Sequence, residues 1–553
     1  MAASPKDTQI TELKDTITQL RKTIEILNKN IEDGRNRELV MQEQIDYLMK
    51  KLFGRSSEKH VVNEDQISLF DEAEMEADIS KEELEEVVTE VKSHTRKKKT
   101  TKEDKFANLE VKEVILDVPE NRRVCGQCGG KLVYLGKEFV REEIEFIPAT
   151  MKRIKYYTVT YRCVPCCEGR TDAQKGYLIR SKAPKGLMVH SPASPSSVAW
   201  VMYQKYVNAI PLYRQEQDWK IQHNVELKRA TLANWIIYCA THYLKPLYNY
   251  FRGELLKHKY LMADETPIQV LKVPNKNEEE VAEGKKTINK KAYMWLFRSG
   301  EFDDQKIILY FYADTRAKYV AESFLNDFNG HLITDGYKGY NNLSDIIHYL
   351  CWAHIRRDFT DSIPKKREDD MTIPAVQAVS YIDKLFSFER KSKELGHSPE
   401  QRKNYRLKYE KPVIQAFWDW LDKQQTIKNS KFDKAVTYAK NNKHLLEIYL
   451  EDGNCSLSNN LSENAIRPFT VGRKNWLFSD TPNGAEASSI CYTMVEMAKA
   501  HDLNPFKYLK YILTNRLPEN PQSSDCEKLT PWNPDVQEVC KKSKKIEKTA
   551  ILS

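Results

Sequence analysis

YLMADETPIQV (260–270) and HLITDGYKGY (331–340) decide how this chain is read. In each, a short apolar run ends on an acid, Asp264 in the first and Asp335 in the second. A run of that length bounded by turn-forming residues signals a strand buried on both faces. Further strand-like runs stand nearby, AYMWLF (292–297), KIILYFYAD (306–314) and IIHYLC (346–351). Residues 374–450 are rich in Lys, Glu, Leu and Phe at helical spacing and interrupt this region, and helical character returns at 459–468 and 485–514. Strands alternating with helices give an α/β fold class.

An acid at the polar end of an apolar strand is common and by itself only ends the strand. Two such acids, joined by Glu463 in the helical SNNLSENAIRP (458–468), form a set that could converge on a divalent cation. Hard carboxylate oxygens select Mg²⁺ or Mn²⁺ over zinc. Two cations held this way clamp the attacking and leaving oxygens of a phosphodiester. Glu265, Asp314 and Asp361 compete on spacing alone, although Glu265 points opposite to Asp264 in an extended strand. Positive charge gathers close by in sequence, with Arg356 and Arg357 in CWAHIRRDF and Arg467, Arg473, Lys474, Asn475 and Trp476 in RPFTVGRKNWLF. Arg467 follows Glu463 by one helical turn and shares its face. Cys351-x-x-His354 has half the spacing of a metal site but no matching second pair, so it reads as packing at a strand-to-helix turn.

Upstream, Thr231 opens a helix after the break that follows VNAIPLYRQEQDW, within a 190–250 segment that fits a helix-turn-helix as well as generic helical packing. Before it come Cys125-x-x-Cys128 and Cys163-x-x-Cys166, two knuckles joined by alternating strand-like sequence over 111–170. Four thiolates at that spacing form a closed tetrahedral Zn²⁺ site, structural rather than catalytic, with Cys167 competing with Cys166 for the fourth position. Nearer the N-terminus, Ile10, Leu13, Ile17, Leu20, Ile24, Leu27 and Ile31 repeat at alternating spacings of three and four. After a break at Gly34 and Glu38 the pattern resumes with Met41, Ile45, Leu48 and Leu52. Ile at the first apolar position with Leu at the second favours a two-stranded coiled coil over 8–53.

The 553 residues carry a formal charge of +8, unevenly spread. Residues 64–90 hold twelve acids against Lys81, a segment of −11, which leaves +19 on the rest. That basic remainder suits a polyanionic partner, and the charged stretch 60–105 reads as a flexible linker. No window approaches 18 consecutive apolar residues, which excludes membrane helices. MAASPKDTQITELK lacks a secretory pattern, so an intracellular location with reduced cysteines is expected. The proline-rich 516–553 reads as a tail across the surface.

In this order, LFGRSSEK (52–59), CGQCGGKL (125–132), NAIPLYRQE (208–216), ADETPIQVL (263–271), TDGYKGY (334–340), CWAHIRRDF (351–359), NNLSENAIRP (459–468) and GRKNWLFSDTPNGAEAS (472–488) resemble the transposases of insertion-sequence family 66, bacterial enzymes with an Asp-Asp-Glu centre. The resemblance runs from the zipper almost to LTPWN (529–533). It implies an RNase H-like catalytic core over 257–515 with a helical insertion at about 374–450, in which Asp264 and Asp335 hold Mg²⁺ or Mn²⁺ and Glu463 completes the set. It further implies DNA as partner, both element ends and target, in a bacterial cytoplasm. A homodimer or larger homo-oligomer through the zipper is expected, along with room for small accessory proteins encoded by the element. Phosphate contacts by the basic residues follow from charge and position alone. A nuclease that cuts without joining, or a DNA-binding regulator without catalysis, fits the same core. The stretch 60–105 matches no family string.

Overall fold

The computed structural model describes residues 16–27, 150–157, 160–162, 178–180 and 185–542, save 276, 278–280, 282–285 and 366. Two compact units emerge, Met1–Phe106 with Gln424–Lys434, and Ala107–Lys423 with Ala435–Ser553. In the first, residues 16–27 are helical, with Ile17, Leu20, Ile24 and Leu27 between 50% and 57% exposed. The remainder of the 8–53 heptad, the 60–105 linker and the four candidate zinc cysteines lie outside the described residues.

In the second unit β1 (Thr160–Arg162) pairs antiparallel with β2 (Leu178–Arg180). Four helices follow, α1 (Pro195–Tyr206), α2 (Leu212–His223), α3 (Arg229–Cys239) and α4 (Lys245–Leu255). Ser194 caps α1 reciprocally with Ser197, and Asn224 ends α2 in the left-handed region at φ 51°. A π-helical turn, Ala240–Leu244, joins α3 to α4 just ahead of Pro246. Proline lacks the N–H and crowds the preceding turn, and the wider π turn absorbs both defects.

The five apolar runs of the α/β region are all strands: β3 (Tyr260–Pro274), β4 (Thr287–Ser299), β5 (Ile308–Ala313), β6 (Gly330–Thr334) and β7 (Ile346–Leu350). Their order in the sheet is β5-β4-β3-β6-β7, and β8 (Phe478–Ser479) also pairs with β3. The pairs β3/β4 and β4/β5 are antiparallel, while β3/β6 and β6/β7 are parallel. Helices α5 (Lys318–Phe324) and α6 (Trp352–Thr360) follow β5 and β7. Next comes an all-helical stretch, α7 (Pro374–Glu394), α8 (Pro399–Tyr405), α9 (Lys411–Asp422), α10 (Lys431–Asn441) and α11 (Lys443–Glu447). The chain returns to the sheet through α12 (Asn460–Trp476) and α13 (Pro482–Ala500). Thirteen consecutive-face and opposite-face residues of α13 from Ala485 to Ala498 are buried, so this helix runs through the core.

The partners of β3 change along its length. It pairs with β6 only over Tyr260–Met262 and with β8 only at Gln269 and Val270. Between them its backbone faces no strand on that side. The carbonyl of Ala263 accepts instead from Asn459 Nδ2 at 2.8 Å, and that of Pro267 from Arg473 Nη1. Pro267 lies in this unpaired stretch, where a missing N–H breaks no ladder bond. Thus α12 and its cap take the place of a strand beside β3, and Asn459 satisfies the carbonyl of Ala263, which would otherwise be buried without a donor.

The chain does not trail off after α14 (Pro505–Thr514). Two short helices, α15 (Ser523–Glu527) and α16 (Pro534–Cys540), bury Cys526, Leu529, Val536 and Cys540, and Tyr508 Oη donates to Leu529 O at 2.9 Å. The described part of the expected surface tail is therefore docked, because the apolar residues of and between its two short helices, the second opening on Pro534, reach the core.

Candidate active site

β3 and β6 are last paired at Met262 and Ile333, so Asp264 and Asp335 each stand two residues past that pair, on neighbouring strands. The two strands part there, β6 ending while β3 runs on to Pro274, so Asp264 stands inside its strand and not at its end as the apolar run suggested, and the opening lies past the carboxyl end of β6. Glu463 enters from the first turn of α12. Its position is set by Asn459, a buried residue that bonds Ala263, receives Ser462 Oγ, and donates its own N–H to Cys351 Sγ at 3.0 Å. Cys351 is thus a buried packing residue at the strand-to-helix turn.

The three acids are close enough to repel. Burial first, then Glu265, Asp335 and Glu463, push the Asp264 carboxyl up to about 8, and a 2.8 Å bond from the Glu265 N–H opposes this only in part. Asp335 Oδ1 accepts from the Tyr337 N–H at 2.9 Å, closing a tight turn at Gly336. A Cβ on Gly336 would collide with the Tyr438 hydroxyl, so the close approach of α10 requires glycine there. Beneath Asp335, Thr334 Oγ1 contacts His348 Nε2 at 2.8 Å, and burial lowers that imidazole to about 4, keeping it neutral.

Of the competing acids, Glu265 points away from Asp264 as an extended strand requires. Its side chain is buried, takes Arg316 Nε at 2.6 Å and receives the Tyr340 hydroxyl. Asp314 pairs with Lys290 at 2.8 Å, and Asp361 is exposed at the end of α6. Arg316 was not singled out by any motif. It follows β5, stacks 3.6 Å over the Tyr337 ring and lies 3.8 Å from Asp335 Oδ2. With Asp335, His354, Asp358 and Tyr438 it lines a pocket of about 310 Å³. His354, on α6, brings Nε2 to 3.5 Å from Glu463 Oε1. No sequence signal distinguishes these partners, because their contacts cross between elements far apart in the chain.

The basic residues divide by environment. Arg357 pairs with Glu463 at 2.9 Å and Arg356 with Asp383 at 2.6 Å. Arg473 is tied to β3 through Thr266 and Pro267, Asn475 donates to Ala209 O at 3.1 Å, and Trp476 packs edge-on to Phe469. Arg467 and Lys474 are exposed. Among the described residues no three His, Cys, Asp or Glu side chains are arranged to hold a metal ion as they stand. Glu463 is instead paired with Arg357 at 2.9 Å, and Asp335 lies 3.8 Å from Arg316. The donor set nonetheless fits a hard divalent cation: all three acids are carboxylates, Asp264 is destabilised as an anion, and Glu463 Oε1 is buried without a hydrogen-bond donor. Among the described residues no helix is long and apolar enough to cross a membrane.

Comparison with known proteins follows the same segments. Residues 190–487 match the profile described as Transposase IS66 family. Residues 41–114 match Transposase C of IS166 homeodomain, 122–168 the zinc-finger binding domain of transposase IS66, and 493–532 the IS66 C-terminal element. Uncharacterized protein y4hP of Sinorhizobium fredii is 25% identical over 520 residues, 89% of this chain and 88% of its own length. Uncharacterized protein y4qI of the same organism is 26% identical over 446 residues, 77% of this chain and 76% of its own. Among solved structures, the Drosophila P element transposase strand transfer complex aligns over 55% of this chain and 92% of its own at 10% identity, with a TM-score of 0.29, too low to carry an argument.

Proposed function

The chain belongs to the IS66 family of transposases, and from that premise we propose that it cuts the ends of an insertion sequence and joins the freed 3′ hydroxyls to target DNA, with Asp264, Asp335 and Glu463 as its catalytic acids. One observation supports the residue assignment: Asp264 on β3, Asp335 just past β6 and Glu463 on α12 are near enough for the other two to raise the Asp264 carboxyl, beside the stretch where β3 has no strand neighbour on one side. The sheet order, with β4 antiparallel between β3 and β5 and parallel strands beyond, supports an RNase H-like core.

Asp264 from within β3 and Asp335 from just past β6 would hold Mg²⁺ or Mn²⁺, and Glu463 would close the set from the helix. When bound, such cations supply Lewis acidity to the attacking and leaving oxygens of an in-line displacement. Asn459 fixes the entry of α12, and the Glu265–Arg316 pair buttresses Asp335 from behind. Exposed Arg467 and Lys474 would meet backbone phosphates, and α2–α3 is the segment that would enter a major groove. Cys125, Cys128, Cys163 and Cys166 would hold Zn²⁺ within the matched zinc-finger region. The N-terminal zipper would bring protomers together so that two ends are handled at once, in the bacterial cytoplasm and with room for accessory proteins.

Incubating the full-length protein with Mg²⁺, DNA bearing its element's end and a plasmid target is expected to give joined products. Asp264→Asn, Asp335→Asn and Glu463→Gln should each reduce them to background with the DNA affinity retained. Cleavage without joining would instead identify a nuclease, and binding with neither a regulator.

A further inference from the structure

Both oxygens of Glu463 face α6, and they are treated differently. Oε2 accepts from Arg357 Nη2 at 2.9 Å. Oε1 is shut off from solvent, accepts no hydrogen bond and has His354 Nε2 at 3.5 Å. The guanidinium that holds this carboxylate is itself 52% exposed on the outer side of the pair. One end of the ion pair is therefore sunk in the acid cluster and the other lies open to whatever approaches α6. On the far side of the cluster Asp335 is 3.8 Å from Arg316, whose Nε is committed to Glu265 at 2.6 Å.

Two features make Arg357 unlike the other basic residues nearby. Arg356, its neighbour, is held by both oxygens of Asp383 at 2.6 and 3.3 Å. Arg467 and Lys474 are exposed on α12. Arg357 is paired with an acid of the cluster and is itself half exposed.

We propose that Arg357 is a switch residue: while paired with Glu463 it keeps the third acid away from the cation site, and a DNA backbone phosphate arriving beside α6 takes over the guanidinium and releases Glu463 inward. The proposal rests on the reading of Asp264, Asp335 and Glu463 as the cation-holding acids. A guanidinium forms the same forked, charge-assisted bonds to phosphate as to carboxylate, so the exchange replaces one ion pair by another of the same kind. The long side chain reaches the phosphate by rotation of its stem. Once released, Glu463 presents the unbonded Oε1 and the vacated Oε2 to the cluster. DNA and cation then favour each other's binding, and by linkage each strengthens the other by the same factor. The DNA-free protein is kept from assembling a competent site.

Mn²⁺ binding to the full-length protein, followed by electron paramagnetic resonance of the free ion at matched ionic strength with and without a short non-specific duplex, tests this. For the wild type the duplex should tighten Mn²⁺ binding about tenfold, within the usual range of coupling between sites. Arg357→Gln should bind Mn²⁺ without DNA as tightly as the wild type does with it, and the duplex should add nothing further. Arg357→Lys should keep the weak DNA-free binding of the wild type, showing that the position tolerates substitution. Arg356→Gln removes the same charge one residue away and should leave DNA-free binding unchanged. An unaltered DNA-free affinity in Arg357→Gln overturns the switch, as does an equal rise in Arg356→Gln, which would reduce the effect to net charge. The underlying reading is separable: Glu463→Gln and Asp264→Asn should weaken Mn²⁺ binding with the duplex present. If neither does, the assignment of the acids fails. If both do while Arg357→Gln behaves as wild type, only the switch fails.

Discussion

Asp264 shows what it costs a fold to assemble carboxylates. Burial and three neighbouring acids raise its carboxyl to about 8, against about 3.9 for an unfolded chain. A raised acid binds its proton more tightly in the folded state, so ionisation opposes folding. The penalty is absent below the unfolded value, grows as pH rises, and is complete above the folded one. Cation-free protein is therefore expected to lose stability from this group between about pH 4 and pH 8. Asp264→Asn removes that loss, so its melting temperature should exceed the wild type's at pH 8 and by much less at pH 5; differential scanning calorimetry in chelator checks it. Burial raises the Glu265 carboxyl as well, but here the Tyr340 hydroxyl and the Arg316 guanidinium oppose the shift. Arg316→Ala strands the carboxylate, and the expected loss is about 2–3 kcal/mol, below the range for a wholly buried pair because Arg316 is 36% exposed. Urea unfolding should show part of that loss recovered when Glu265→Gln is added, a coupling that independent sites would not give.

At the scale of elements, α12 does the work of a strand. Asn459 and Arg473 satisfy the carbonyls of Ala263 and Pro267, and between these two anchors the helix presents Glu463. Asn459→Ala should leave the Ala263 carbonyl buried without a donor, at about 1–3 kcal/mol. Hydrogen exchange should show the first turns of α12 losing protection while β4 and β5 keep theirs; equal loss throughout would mean that Asn459 merely stabilises the whole domain. The strands were legible from their apolar runs, and Asp335 as the acid just past one of them, whereas β3 continues beyond Asp264 to Pro274 as alternating buried and exposed residues paired with β4. The docking of α12 was not. Nothing local marks Asn459 as the partner of a carbonyl 196 residues away, or Arg316 as the residue that joins Glu265 to Asp335. For the same reason Arg473, Asn475 and Trp476 read as an open basic and aromatic surface, whereas the fold engages all three in internal contacts.

For the molecule as a whole, charge is segregated along the chain, with −11 on residues 64–90 and +19 on the rest. Binding to DNA releases counterions in proportion to the phosphates neutralised, so affinity falls steeply with salt. An acidic segment in the same chain competes with those phosphates for the basic surface. Deleting residues 64–90 should raise affinity for non-specific DNA severalfold at low salt and make the salt dependence steeper. Filter binding across a salt series measures both, and an unchanged affinity at matched salt would dismiss the competition. One feature of the sheet also governs when the protein can act. β3 is completed on its open side by α12 and β8, which are translated after every other strand of the sheet. At about 5–20 residues per second, some 10–40 s separate the synthesis of Asp264 from that of Glu463. Until Asn459 is made, the nascent chain carries Asp264 on a strand whose Ala263 carbonyl lacks its donor. A message cut short after Asp335 and before Asn459 would therefore release a product with two of the three acids and an unfinished sheet.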